Sequence, residues 1–199
     1  MRAGMSPRGT RGGLRGTLKR EGKNMQQIIV SGIGGQGVLF VTKLLAQTAV
    51  DTGRSVLLSE THGMAQRGGN VISHLKVAPR EQSGTSPVSP LVRPGHADVL
   101  LALHPDALAA HGFFLRPGGR AFCNASGTTA EGSLDASAIA GSLGSAVSAN
   151  LVLLGFAAAS GALFCDPAQL ETTLARIGGK RTESSLAAFR AGLKAASAP

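Results

Sequence analysis

The 199-residue sequence contains no Trp or Tyr and only two cysteines. Without those aromatic rings, a stacking platform for single-stranded nucleic acid is not expected. Cys123 and Cys165 lie far apart and no Cys-x-x-Cys occurs, which argues against a disulfide framework, a metal site or an iron–sulfur cluster held by this chain alone. No two of the five histidines have the i, i+4 spacing of a zinc-binding helix. This residue usage favours a cytoplasmic protein.

The positive charge is concentrated at the amino end. Residues 1–24 carry seven Lys or Arg and one Glu, so this stretch holds +6 of the formal net charge of +9. With many Gly and Arg and few apolar residues, 1–24 is predicted to be a disordered basic extension, and it lacks the apolar core of a secretory signal. Two interpretations stay open for it: an upstream extension of the reading frame, or an arm for nucleic acid or a membrane surface. The body, 25–199, is expected to bind neither.

Strand and helix patterns alternate along 25–199, which is predicted to form one domain. Apolar runs at 28–31, 55–59, 97–103 and 120–123 are typical of strands, and the segment 71–77 fits a half-exposed strand. Patterns typical of helices follow Gly37, Pro105 and Pro167, and a last helix is predicted near the carboxyl end of the chain. The order favours a three-layer α/β/α domain with a Rossmann-like, mostly parallel sheet. Because no helix separates 55–59 from 71–77, the sheet is expected to be mixed.

The Ala-rich segment 147–164 approaches the length of a membrane span. Polar and glycine residues interrupt it, among them Asn150, Gly155 and Gly161. A buried helix, with small residues that permit close packing, is therefore predicted instead of a span.

A glycine loop follows the first strand. Gly32, Gly34 and Gly37 satisfy G-x-G-x-x-G between a strand and a helix, where free amides attract an anion. Glu60, at the end of the second strand, has the position of an acid that meets a ribose hydroxyl, so an NAD(P)-binding oxidoreductase is one hypothesis. The alternative is that the glycines only permit a tight strand–helix connection. The candidate cofactor-binding residues are Gly32, Gly34, Gly35, Gln36 and Gly37.

A second glycine-rich segment joins two strands at 60–69, at a predicted sheet edge. Arg67 offers a planar fork for carboxylate or phosphate, and the glycines allow a partner to approach closely. No catalytic residue is assigned in this chain, since no partner for an acid or base is fixed by the sequence. The candidate substrate or subunit contacts are Glu60, His62, Gly63, Met64, Gln66, Arg67, Gly68 and Gly69.

The two motifs together resemble a known family. G-I-G-G-Q-G-V at 32–38 and E-T-H-G-M-A-Q-R-G-G-N-V-I-S-H at 60–74 are similar to the gamma subunit or domain of 2-oxoacid:ferredoxin oxidoreductases, particularly the small subunit of the indolepyruvate branch. Weaker similarity extends over about 25–196.

This resemblance implies a subunit of a complex that oxidatively decarboxylates an aryl or other 2-oxoacid to acyl-CoA and reduces ferredoxin. It implies a large partner subunit that holds thiamine diphosphate with Mg and the iron–sulfur clusters, with coenzyme A as acyl acceptor. It also implies a hetero-oligomer whose small subunit is inactive alone. A non-enzymatic binding module is a further alternative.

Overall fold

The computed structural model describes residues 25–62, 69–79, 89–127 and 131–197. Six strands are present there: β1 Gln26–Ile33, β2 Arg54–His62, β3 Asn70–Pro79, β4 Ala97–Ala102, β5 Leu115–Asn124 and β6 Ser133–Leu134. The α-helices of these ranges are α1 Val38–Asp51, α2 Pro105–His111, α3 Ala136–Ser142, α4 Ala149–Ala159, α5 Pro167–Ile177 and α6 Thr182–Ala195. Three short 3-10 turns cover Gly112–Phe114, Ala146–Ser148 and Gly179–Arg181. The predicted basic extension, 1–24, lies outside the described residues.

The six strands form one sheet in the order β2-β3-β1-β4-β5-β6. Pairings β1–β4, β4–β5 and β5–β6 are parallel, and β3 runs antiparallel to both of its neighbours. This confirms the predicted α/β class with a mostly parallel, mixed sheet. β1 and β2 point the same way but do not touch, because β3 lies between them.

The position of β3 corrects one prediction. The segment 71–77 was expected to be half exposed, yet Ile72 to Leu75 are buried and Val77 is 1% exposed. β3 is an interior strand with protein on both faces. The edge position belongs to β2, in which Ser55 and Leu58 are exposed.

The two faces of the sheet are covered unequally. Ile28, Val30 and Leu101 face the larger core, which they share with α1 and with α3 to α6. Ile29, Leu100 and Ala102 face a smaller core, which is covered by α2 and the turn Gly112–Phe114. A three-layer arrangement results, with most of the helical mass on one side.

Helix α4 lies in the larger core, as predicted for the segment 147–164. Leu151 to Leu154 are at most 2% exposed. Gly155 and Gly192 let α4 and α6 meet backbone to backbone, because a Cβ at either position would collide with a carbonyl of the other helix. Within the described ranges, no helix has the length and apolar character needed to cross a membrane.

Candidate functional site

The glycine loop connects the carboxyl end of β1 to α1. Gly35 and Gly37 have positive φ angles of 96° and 82°, which a residue with a side chain rarely adopts. Gln36 folds back over the loop, and its Oε1 accepts a hydrogen bond of 2.8 Å from the Ile33 amide. That contact explains Gly32, where a Cβ would lie 2.8 Å from the same Oε1. Part of the predicted loop is therefore satisfied internally.

The loop also binds the second glycine motif. The Gly34 amide donates a hydrogen bond of 3.0 Å to the Gly69 carbonyl, and Ile33 pairs with Asn70 in the β1–β3 ladder. The backbone thus places the carboxyl end of the 60–69 segment directly beside the glycine loop.

Of the other predicted contact residues, the structure describes two and does not describe five. Glu60 is exposed on β2 and pairs with Ser73, and His62 ends the strand opposite Val71. Gly63, Met64, Gln66, Arg67 and Gly68 lie outside the described residues. Of these predicted contacts, the structure brings Gly69 to the glycine loop.

The sheet order weakens the dinucleotide hypothesis. A Rossmann site needs the acid of the second strand next to the glycine loop of the first, with the two strands paired. Here β3 separates them, so β2 lies about 9–10 Å from β1, two strand spacings away. Glu60 is therefore displaced by one strand from the position of a ribose-binding acid.

A pocket of about 260 Å³ opens on the other side of the glycine loop, at the carboxyl ends of β4 and β5. This is a topological switch point. After β1 the chain passes through α1 to β2 and β3 on one side of β1, whereas β4 lies on the other side of β1. The lining comprises Gly35, Gln36, Leu103, Asn124, Ser137, Ala146, Val147, Ala149 and Asn150. None of these described lining residues is charged.

Two asparagines shape this pocket, and sequence analysis did not assign either of them to it. Asn124 Nδ2 donates to Ser137 Oγ at 2.9 Å and to the Leu103 carbonyl at 3.3 Å. Asn150, in the first turn of α4, packs against Gly37 and is 8% exposed. In the sequence, Asn150 is a polar residue that interrupts an apolar segment. This was interpreted only as evidence against a membrane span.

Three histidines near the sheet make hydrogen bonds within the fold. Burial lowers the pKa of His111, whose Nδ1 lies 2.6 Å from Ser31 Oγ. Burial, and then the nearby His111 and Lys76, lower the pKa of His74, whose Nδ1 accepts from the Val92 amide at 3.3 Å. His104 caps α2 by accepting from the Asp106 amide at 3.1 Å. In the described ranges, no group of three His, Cys, Asp or Glu is arranged to hold a metal ion.

Comparison with known proteins identifies related sequences. A family model described as pyruvate ferredoxin/flavodoxin oxidoreductase matches residues 27–195. Indolepyruvate oxidoreductase subunit IorB of Archaeoglobus fulgidus is 40% identical over 88 residues, which are 44% of this chain and 40% of that protein. The IorB subunit of Pyrococcus horikoshii is 36% identical over 98 residues, 49% of this chain and 46% of that protein. The match thus spans less than half the length of either relative.

Solved structures share the fold at lower identity. The gamma subunit of a keto/oxoacid ferredoxin oxidoreductase from Geobacter sulfurreducens superposes with a TM-score of 0.67 at 24% identity, over 87% of this chain and 99% of that one. The 2-oxoglutarate:ferredoxin oxidoreductase of Magnetococcus marinus, solved with 2-oxoglutarate, coenzyme A and succinyl-CoA, gives a TM-score of 0.70 at 22% identity. It covers 90% of this chain and 32% of that chain.

Proposed function

Because this chain belongs to the pyruvate ferredoxin/flavodoxin oxidoreductase family, we propose that it is the gamma-type subunit of an indolepyruvate-like 2-oxoacid:ferredoxin oxidoreductase. In this proposal it works in the cytoplasm, in a hetero-oligomer with a large subunit. The complex oxidatively decarboxylates an aryl or other 2-oxoacid, transfers the acyl group to coenzyme A and passes the electrons to ferredoxin. The IorB relatives support the indolepyruvate branch.

The observation that carries the proposal at the level of the site is the hydrogen bond from Gly34 to Gly69. It fixes the carboxyl end of the 60–69 segment to the glycine loop. Glu60 is exposed near the other end of that segment, at the sheet edge. The glycine backbone surface formed by Gly34, Gly35 and Gly69 suits a contact with a second subunit, because glycine lets another backbone approach closely. We assign to this surface the contact with the large subunit.

The lining of the pocket beside the glycine loop supports locating the metal and the clusters on that partner. Its described lining residues include no cysteine and no carboxylate that could ligate them. Thiamine diphosphate, when bound, supplies the stabilised carbanion that decarboxylation requires. In the proposal, the large subunit holds that cofactor with its Mg and the clusters, and this chain closes the site.

Substitutions of predicted contact residues in the reconstituted complex test the proposal. We expect Arg67→Ala and Glu60→Gln to reduce indolepyruvate-dependent ferredoxin reduction while leaving the circular dichroism spectrum and unfolding midpoint of this subunit unchanged. Arg181→Ala is the matched control. Arg181 is exposed and follows α5. Arg176 of that helix pairs with Asp51 at the carboxyl end of α1, which is the end away from the glycine loop. Equal turnover in all three variants and the wild type would refute the assigned contact.

Assembly and substrate need separate measurements. Co-expression with the large subunit should yield a complex that co-elutes in size-exclusion chromatography, and failure to associate would refute the subunit role. Comparing indolepyruvate with pyruvate and 2-oxoglutarate in that complex identifies the 2-oxoacid. Titrating NADH against the isolated chain tests the dinucleotide alternative, and saturable binding there would favour it.

A further inference from the structure

The edge strand β2 has a long and regular outer side. Among the described strands it pairs only with β3, in an unbroken register from Arg54 opposite Pro79 to His62 opposite Val71. Such an edge presents a row of backbone N–H and C=O groups to another strand, and proteins usually block it with a bulge, a proline or a charged side chain. Between Arg54 and Glu60, β2 contains none of these. This edge is therefore shaped to accept a further strand.

The sequence of this edge is complementary to itself. When the strand lies antiparallel to a second copy about a two-fold axis at Leu57, opposite charges, serines and apolar residues each face one another. The pairs are Arg54 with Glu60, Ser55 with Ser59, Val56 with Leu58 and Leu57 with Leu57. Opposite residues must both turn their backbone groups toward the partner or both turn them away, which requires an even difference in residue number. Every pair meets that condition.

The alternation of the strand assigns these pairs to the two faces of the sheet. Val56 packs against the larger core, so Arg54, Leu58 and Glu60 lie on that face with it. Leu58 is 38% exposed and Glu60 is exposed, while the Arg54 guanidinium lies 5.6 Å from the centroid of the Phe164 ring. The pairing therefore covers an exposed leucine and brings a cation and an anion together at each end of the contact.

We propose that β2 pairs with β2 of a second copy of this chain, antiparallel and centred on Leu57, so that two sheets join into one across a two-fold axis. The interface is isologous, because Arg54 of each copy meets Glu60 of the other. Contact through one edge strand buries less surface than a standard interface, so the dimer is expected to be weak and reversible. Gly34 and Gly35 lie beyond β3, so the glycine surface stays available to the large subunit.

Sedimentation velocity of the full chain measures this association without the large subunit. We expect the sedimentation coefficient of the wild type to rise with concentration between about 1 and 100 μM, as for a reversible dimer. Glu60→Arg sets two cations opposite each other and Arg54→Glu sets two carboxylates opposite each other, so each variant alone should dimerise about tenfold more weakly. Glu131→Arg makes the same charge change beside β6, at the other edge of the sheet, and should dimerise as the wild type does.

An equal mixture of the two weakened variants is the decisive measurement. In a mixed dimer, the acidic positions of the Arg54→Glu chain face the basic positions of the Glu60→Arg chain, so both opposite-charge pairs are restored. We expect the mixture to associate about as tightly as the wild type. Such recovery also excludes misfolding as the cause of the weaker association of each variant alone.

Disulfide formation tests the register. Leu57 faces Leu57 of the other copy at the axis, at a Cα separation that a disulfide can span, so Leu57→Cys should give a covalent dimer under mild oxidation. Ser55→Cys is the matched control on the same face of β2. In this register it lies about 14 Å from its equivalent in the other copy, so it should not cross-link. The native Cys123 and Cys165 are buried.

Several results would overturn the proposal. A wild-type chain that stays monomeric over the whole concentration range refutes the dimer. Equal association of the single variants and their mixture, or cross-linking of Ser55→Cys but not of Leu57→Cys, refutes the register. If the chain is monomeric and Glu60→Arg instead prevents co-elution with the large subunit, the edge of β2 belongs to that partner and not to a second copy.

Discussion

The Gly34 amide donates to the Gly69 carbonyl at 3.0 Å, so the two glycine motifs of this chain meet through their backbones. The antiparallel strand β3 makes this contact possible, because it carries Gly69 and Asn70 back to the end of β1. The same strand separates β1 from β2 and displaces Glu60 from a ribose-binding position. One structural feature thus connects the motifs and argues against dinucleotide binding.

Gly37 should tolerate substitution less well than Gly35. Both have positive φ angles, so alanine at either position costs about 1–2 kcal/mol of backbone strain. A Cβ at Gly35 meets nothing within 4 Å, whereas one at Gly37 collides with Asn150 Nδ2. We expect Gly37→Ala to lose a further 1–3 kcal/mol, roughly, in urea unfolding.

The collision at Gly37 can be isolated with a double variant. Adding Asn150→Ala to Gly37→Ala removes the obstructing group, so the additional loss of unfolding free energy should largely disappear. Additive effects of the two substitutions would contradict the contact.

The α4–α6 interface depends on Gly192. A Cβ there would run into the Val152 carbonyl of α4, and backbone cannot rotate away as a side chain can. Gly192→Ala should destabilise the protein by at least about 1–3 kcal/mol, measured by chemical denaturation. Gly141→Ala is the matched control, because a Cβ in that helix meets nothing within 4 Å, and its better helix propensity should add up to about 1 kcal/mol.

Stability should decrease as the pH falls below neutrality. Burial lowers the pKa of both His74 and His111 in the folded state, while an unfolded histidine titrates near about 6.5. Between the folded and unfolded pKa values the unfolded chain binds more protons, so the unfolding free energy rises with pH there and levels off above about 6.5. Urea midpoints at several pH values measure this, and the double variant His74→Gln/His111→Gln should show a flatter profile.

Neither cysteine should react in the native protein. Cys123 and Cys165 are 3% and 8% exposed, and burial raises the pKa of the Cys123 thiol and raises that of Cys165 to about 12. Since only the thiolate is a good nucleophile, a thiol-reactive reagent at neutral pH should label neither residue until denaturant is added. Rapid labelling of folded protein, detected by mass spectrometry, would disagree with this burial.

Much of the secondary structure could be predicted from short stretches of the sequence. Apolar runs located the strands. Gly53 has the positive φ typical of a residue that ends a helix, and the Gln169 side chain accepts from the Asp166 amide at the start of α5, as in a capping box. The buried character of α4 followed from its apolar length. These features depend on neighbours along the chain, which a single sequence records directly.

The sequence by itself thus determined the α/β class, the glycine loop and the starts of α1, α2 and α5. Tertiary structure alone decided that β3 enters between β1 and β2, that Gly69 meets Gly34, and that Asn150 of α4 covers Gly37 of the first loop. The burial pattern of β3 was predicted wrongly because it depends on which strands pair with it. The physical reason is that strand order and long-range contacts result from packing between segments distant in sequence, and neither hydrophobic periodicity nor a local motif encodes the partner.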